Sequence, residues 1–475
     1  MRLVQLGTAL VLVVALMCSC ESGKQGSVSS GEKVSDVEMW VTTGNRSMLL
    51  QPLNEKIAAE TQNGAPTVKV NAKNDYQTMD GFGFSLTGGS AMLLNTKLSA
   101  EKRAEILREL FTTEGNNIGV SYLRISIGAS DLDERVFTYV DVDPGKGNDL
   151  SGFSLGYDKE HLIPVLKEIL ALNPDIKIMG SPWTAPAWMK TNNHVKGGSL
   201  RKENYSDYAR YFVRYIREME KEGIRLDAIT IQNEPENPKN TPSMLMTAEE
   251  QADFIKNHLG PAFEQAGIKT KIVVFDHNCD NPGYPITILN DADAKKYVDG
   301  SAFHMYLGEI NAMSKVHEAH PDKHLYFTEQ WTSGEGDFDG DLFWHTRELM
   351  IGAPRNWSRN VLEWNLAADP NFDPHTDEGG CTICQGALTI DTESVSRNVS
   401  YYIIAHGSKF VPDGSVRVDS NIPDGLPNVA YVTPEGKKVL HVLNEGSSEK
   451  TFNVEAGEKK FAVTLPKGSV ATVVW

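Results

Sequence analysis

Residues 227–235 read DAITIQNEP, a short β-branched run (Ala228, Ile229, Thr230, Ile231) closed by Asn233, Glu234 and Pro235. The run is too short for a helix, and a proline ends it, so it predicts a buried strand with a polar end. Just upstream, residues 204–223 place Tyr208, Phe212, Tyr215, Ile216 and Met219 on one helical face and stop at Gly223. Downstream, TAEEQADFIKNHL opens with a capping-box pattern, Thr247 with Glu250. The alternation continues in both directions. Strand-like runs fall at 79–89, 120–126, 175–183, 271–276, 300–306, 324–330 and 360–366, with a helical stretch at 158–172. Eight strands with helical material between most of them predict an α/β protein with a parallel sheet, closed as a (β/α)8 TIM barrel. An open doubly wound sheet is the alternative. The turn GFGFSLTGGS, however, lacks the spacing of a dinucleotide fingerprint.

The two chain ends have a different texture. Residues 37–72 and 414–475 alternate apolar and polar positions between glycines and prolines, which is the pattern of antiparallel β-structure. They predict a side β-sandwich built from both termini. The expected division is 37–75 and 411–475 for the sandwich and 76–410 for the barrel. Ahead of these, MRLVQLGTALVLVVALMCSC carries Arg2, an apolar run from Leu6 to Met17, and cysteine. It has the layout of a secretory signal and resembles a bacterial lipoprotein signal over residues 1–20. Cys20, after the small Ser19, would be the lipidated residue, and residues 21–36 a Ser/Gly-rich tether. A plain cleaved signal is the alternative. The implied location is exported and lipid-anchored at the outer membrane, with membrane contact through that anchor alone.

Composition narrows the partners. A formal charge of −17 and the absence of a basic cluster argue against nucleic acid. The chain is expected to be a monomer, without cofactor or metal. Cys381 and Cys384 form a single C-x-x-C, too little for zinc, and outside the cytoplasm they predict a local disulfide. Cys279 is left as a free, buried thiol.

In a barrel the strand ends form the site. Here they collect Trp183, Asn233, Glu234, Asp276, His277, Asn278, His304, Tyr306, Glu329, Trp364 and Asn365. Any one of these alone reads as a loop anchor; the joint pattern is what carries chemistry. Two glutamates among tryptophans and asparagines suit glycoside hydrolysis, which needs one acid for the leaving oxygen and a second carboxylate on the other face of the sugar. Glu234 is expected to stay neutral through nearness to anionic Glu329. Glu236, beyond Pro235, is expected to face the loop.

TIQNEPEN, SPWTAPAWMK, LYFTEQWTSG, FHMYLG, VLEWNLAADPN and AHGSKFVPDGSVRV together closely resemble glycoside hydrolase family 30, over nearly all of the mature chain. The resemblance implies Glu234 as acid/base, Glu329 as nucleophile, and Asn233 on the sugar 2-hydroxyl. It implies Asp131, Trp183 and Trp364 in the inner subsite, with His277 and Asn365 as further sugar contacts. Tyr306 would bond the nucleophile, and Arg124 and His304 would support it. The loop EGGCTICQGALTID is similar to that of the microbial β-1,6-glucanase branch, so β-1,6-glucan is the expected substrate. A glucosylceramidase-like exo-glucosidase is the runner-up, ahead of xylan- or fucoside-directed specificities. Two rival classes are a catalytically inactive glycan-binding lipoprotein and a metal hydrolase using Asp276, His277 and His304.

Overall fold

Eight parallel strands close on themselves in sequence order, the eighth pairing with the first. They are Gly81–Ser85, Tyr122–Ser126, Lys177–Ser181, Ala228–Thr230, Lys271–Cys279, Val298–Gly308, His324–Glu329 and Ser358–Asn365. Each falls on a predicted run. The structure, a computed structural model, describes residues 36–141, 150–392 and 394–475. The signal peptide, the lipidation residue Cys20 and nearly all of the tether lie outside the described residues. Among the described residues no helix is long and apolar enough to cross a membrane.

Strand periodicity explains how an apolar barrel acquires a polar mouth. Tyr122, Met179, Ala228, Val273, Ala302, Tyr326 and Leu362, one from each of seven strands, form a closed apolar cluster inside the barrel. Side chains on a strand repeat every two residues. One step further along, the same face presents Arg124, Ser181, Thr230, His304, Thr328 and Trp364. The lower layer is a packed plug, and the upper layer is the floor of a site. Gly83 is needed where the first two strands meet, since a Cβ there would lie 1.8 Å from the Tyr122 carbonyl oxygen.

The helices follow their sequence signals. The amphipathic helix Tyr205–Lys221 buries Tyr208, Phe212, Tyr215, Ile216 and Met219, and the chain turns away at Gly223 with φ +84°, a left-handed conformation that glycine adopts without strain. Thr247 and Glu250 make the reciprocal capping box that opens the helix Ala248–Phe254.

Both chain ends enter one ten-stranded β-assembly beside the barrel. Glu38–Thr43 pairs antiparallel with Ser469–Val474. Thr67–Thr78 lies between Val416–Ser420 and Lys450–Ala456, running on past the expected boundary at residue 75. The sandwich core is aliphatic and aromatic, with Val41, Val68, Val442, Phe452, Phe461 and Val473 buried together. His406, on the barrel helix Val399–Ser408, joins the two parts through hydrogen bonds with Thr472 and Thr42, both 2.9 Å. Burial holds its imidazole neutral, with a pKa lowered to about 3.

Candidate active site

Arg124 stands at the centre of the upper layer with no exposed surface. Its Nη1 donates to Glu329 Oε2 at 2.6 Å. Its Nη2 donates to Asp276 Oδ2 at 2.8 Å and to Asn233 Oδ1 at 2.7 Å. The last bond orients the Asn233 amide, leaving its NH2 end for another partner. Asp276 collects more donors than any neighbour. Ser181 (2.6 Å) and Thr230 (2.7 Å) donate to Oδ2, and Thr328 (2.7 Å) to Oδ1. Burial alone would neutralise it, but the Arg124 charge and His304 hold its carboxyl well below the usual range.

Asp276 reaches that position through a break in strand regularity. Ala302 pairs with Phe275, but Phe303 pairs with His277, so the fifth strand carries one extra residue. Phe275 and Asp276 both have positive φ, 73° and 61°. This is strained backbone for side chains of their size, held in place by the surrounding network. Regular alternation after Val273 would point Phe275 inward; the bulge turns Asp276 inward instead.

The two glutamates meet at His304. Its Nδ1 lies 3.3 Å from Glu234 Oε1 and 3.7 Å from Glu329 Oε1, and its Nε2 lies 3.1 Å from Asp276 Oδ1. A ring flanked on both nitrogens by carboxylates must donate from both, unless one carboxyl carries the proton instead. Burial opposes the imidazolium, yet Glu329, Asp276 and Glu234 outweigh it and raise the pKa to about 9.

This environment reverses the expected order of the carboxyls. Burial favours neutral Glu234, but the His304 hydrogen bond and the nearness of the His277 imidazole (3.7 Å) win, and the carboxyl is held far below its ordinary range. Glu329 is the raised one, because burial outweighs His304 and Arg124. The sequence places the two carboxylates in the mouth, but not the imidazoles that intervene between them. Glu234 also has positive φ (46°). Asn237 and Asn240 donate to its Oε2 at 2.7 and 3.4 Å.

Above this floor opens a cleft of about 470 Å³, lined among others by Asp131, Glu234, Tyr306, Glu329, Trp331 and Trp364. Tyr306 Oη donates to Glu329 Oε1 at 2.9 Å. Cys381 and Cys384 are disulfide-bonded, Cys279 is a buried free thiol, and the disulfide itself lines the cleft. Asp131 is raised to about 7, first by burial and then by Glu329 and Glu234, against backbone N–H groups of Asp131 and Cys381 that favour its charge. His277 also lines the cleft.

Three expected sugar contacts, Trp183, Asn233 and Asn365, are not among the side chains lining this cleft. Trp183 is 2% exposed and stacks behind Trp364, ring centres 5.4 Å apart, so Trp364 presents the face. Asn365 is buried off the cleft, because its Nδ2 donates to the Ala367 carbonyl at 3.2 Å. Asn237, Asn240 and Trp331 escaped the sequence reading. Only the position of Trp331, two residues after Glu329, offered a hint. The metal rival also changes composition. The donors that converge within 4.8 Å are Glu234, His277 and His304 rather than a set containing Asp276. His304, engaged on both nitrogens, would have to give up its Nδ1 contact with Glu234 to join that set, while its Nε2 kept Asp276.

The glycosyl hydrolase family 30 TIM-barrel domain matches residues 79–411, and the family's β-sandwich domain matches residues 414–473. The chain belongs to glycoside hydrolase family 30. It is a glycosidase of a retaining family. Endo-1,6-beta-D-glucanase neg1 of Aspergillus fumigatus is 34% identical over 86% of this chain and 87% of its own. The lysosomal acid glucosylceramidase of Mus musculus is 29% identical over 84% and 81%. Among solved structures, the endo-beta1,6-glucanase BT3312 superposes with a TM-score of 0.86 at 36% identity, over 93% of this chain and 99% of that one.

Proposed function

We propose that this family 30 enzyme is an endo-β-1,6-glucanase working by double displacement, with Glu329 as nucleophile and Glu234 as acid/base. The observation that carries the chemistry is the approach of both carboxylates to one imidazole nitrogen, at 3.3 and 3.7 Å. Such closeness accords with the spacing of retaining pairs, about 5 to 5.5 Å, rather than the wider inverting gap of about 6.5 to 9.5 Å. Arg124 and Tyr306 each hold one oxygen of Glu329, which orients the carboxylate toward an anomeric carbon above it. Glu234 and His304 share one proton. It rests on the imidazole and passes to Glu234 as the leaving oxygen develops charge, a short transfer along an existing contact. Glu234, again a carboxylate, then takes a proton from the water that cleaves the glycosyl-enzyme and passes it back to His304, which restores the resting state. Asn233 and Asp131 hold sugar hydroxyls, and Trp364 packs on the C–H face of the ring.

The β-1,6 linkage is supported by the glucanases among the similar proteins and by the disulfide-bearing loop that walls the cleft. The N-terminal sequence supports an exported enzyme anchored through a lipid on Cys20. Product analysis on β-1,6-glucan, β-1,3-glucan, xylan and glucosylceramide tests the linkage. A ladder of gentio-oligosaccharides from the first is expected. Glucose released from glucosylceramide, with β-1,6-glucan untouched, would sink it in favour of the runner-up.

A further inference from the structure

Beyond Glu236 the cleft does not end. The exposed Glu236 side chain lines both the catalytic cleft and a second trough of about 660 Å³. Asn281 Nδ2 donates to both Glu236 oxygens at 3.1 Å, so the pair forms a fixed ridge between the two hollows. The trough floor is tied directly to the acid/base segment. Tyr284 Oη donates to the Met246 carbonyl at 2.6 Å, and the Met246 N–H donates to the Pro235 carbonyl at 3.0 Å. Its lining includes Glu249, Glu250 and Thr287, with no lysine or arginine. That lining is unsuited to an anion. Glu236 is held by Asn281 and Glu250 by its capping box, so the acidic groups are not free to converge on a cation. What remains is a mixed surface, with carboxylate, amide and hydroxyl groups that pair with vicinal hydroxyls beside Pro235, Leu245 and Tyr284, which suit a sugar's C–H face.

Direction follows from where the elements emerge. Asp131 and Trp364, on the glycone side, follow the second strand and end the eighth; Glu234, Glu236 and Asn281 follow the fourth and fifth. The acid delivers its proton to the leaving oxygen, so the departing chain lies on the Glu234 side. We propose that the trough bounded by Glu236, Asn281 and Thr287 binds glucosyl units of the departing chain, an inference that rests on the glucanase reading. It supplies affinity for internal positions of a polymer that a short substrate cannot use.

The experiment compares kcat/KM on long β-1,6-glucan with kcat/KM on an aryl β-glucoside, which has no second sugar to reach the trough. Asn281→Ala should lower the polymer-to-aryl ratio about three- to tenfold, the worth of one or two hydrogen bonds. Thr287→Trp, which fills the trough from an exposed position and so spares folding, should lower it at least as far. An unchanged ratio in both variants overturns the inference. If the wild type leaves β-1,6-glucan intact but cuts another β-glucan, the linkage reading fails alone, and the ratio on that glucan decides the trough. A wild type confined to aryl glucosides overturns both.

Discussion

The barrel mouth and the side sandwich solve opposite problems with the same chain. The sandwich buries Val, Leu and Phe side chains against one another, each a gain from apolar surface leaving water. The mouth buries Arg124, Asp276, His304, Glu234 and Glu329 almost completely and holds three positive-φ residues beside them. Buried charges of this kind gain little net stability even when well paired. The sandwich, like the larger apolar core of the barrel and its helices, stabilises the protein, and the mouth is where ordered charge is held ready against its own desolvation. The difference teaches that damage in one should leave the other's property largely intact.

The sharpest test of that separation is Glu329→Gln. Hydrolysis should fall on the order of 10⁴- to 10⁶-fold, while the protein stays folded and still retains glycan in affinity electrophoresis. Equal hydrolysis by variant and wild type would remove the nucleophile assignment. Glu234→Gln comes next, with a loss of about 10²- to 10⁴-fold on glucan. The loss should be much smaller on an aryl glucoside whose leaving group needs no proton, and equal losses on both would count against an acid role. In the sandwich, Phe461→Ala removes a fully buried ring packed against Trp475. Denaturant unfolding should show a cost of about 3 to 5 kcal/mol, with kcat unchanged below the transition. A parallel loss of kcat would mean that the two regions are not separable.

The smallest effect concerns pH. The folded Asp131 carboxyl keeps its proton up to about 7, whereas an ordinary aspartate releases it near 3.8. Ionising it therefore lowers stability as pH rises through that window. Asp131→Asn should raise the melting temperature most above pH 7 and leave it unchanged near pH 3. The same variant should also erase any limb near pH 7 in kcat/KM. A uniform shift at all pH values would show that the carboxyl does not titrate there.

The barrel was legible because its strands are buried on both faces and read as continuous β-branched runs, DAITI and KIVVF among them. Glu234 and Glu329 were legible for the same reason: each ends such a run, and strand ends make the mouth. The protonation order was not. It depends on His304 from the sixth strand and His277 from the fifth standing around Glu234, an arrangement that no local pattern encodes. Trp183 misled because a strand-end tryptophan reads alike whether it faces sugar or backs another ring. Asn237 and Asn240 lie in a polar turn, where asparagine is ordinary. Asp276 looked like one more strand-end acid, and only the convergence of Arg124, Ser181, Thr230, Thr328 and His304 distinguishes it.

The extra residue at Phe275–Asp276 makes this site depend on backbone conformation as well as on composition. Straightening the bulge with every residue kept would restore smooth alternation from Val273, turn Phe275 into the mouth and swing the carboxylate toward the surrounding helices. Every side chain named in the catalytic pair would still be present, yet Arg124 would lose an anion and His304 its Nε2 acceptor. In this segment backbone conformation matters as much as the letters, so a β-branched residue at position 275, which resists positive φ, should cost the site more than its size suggests.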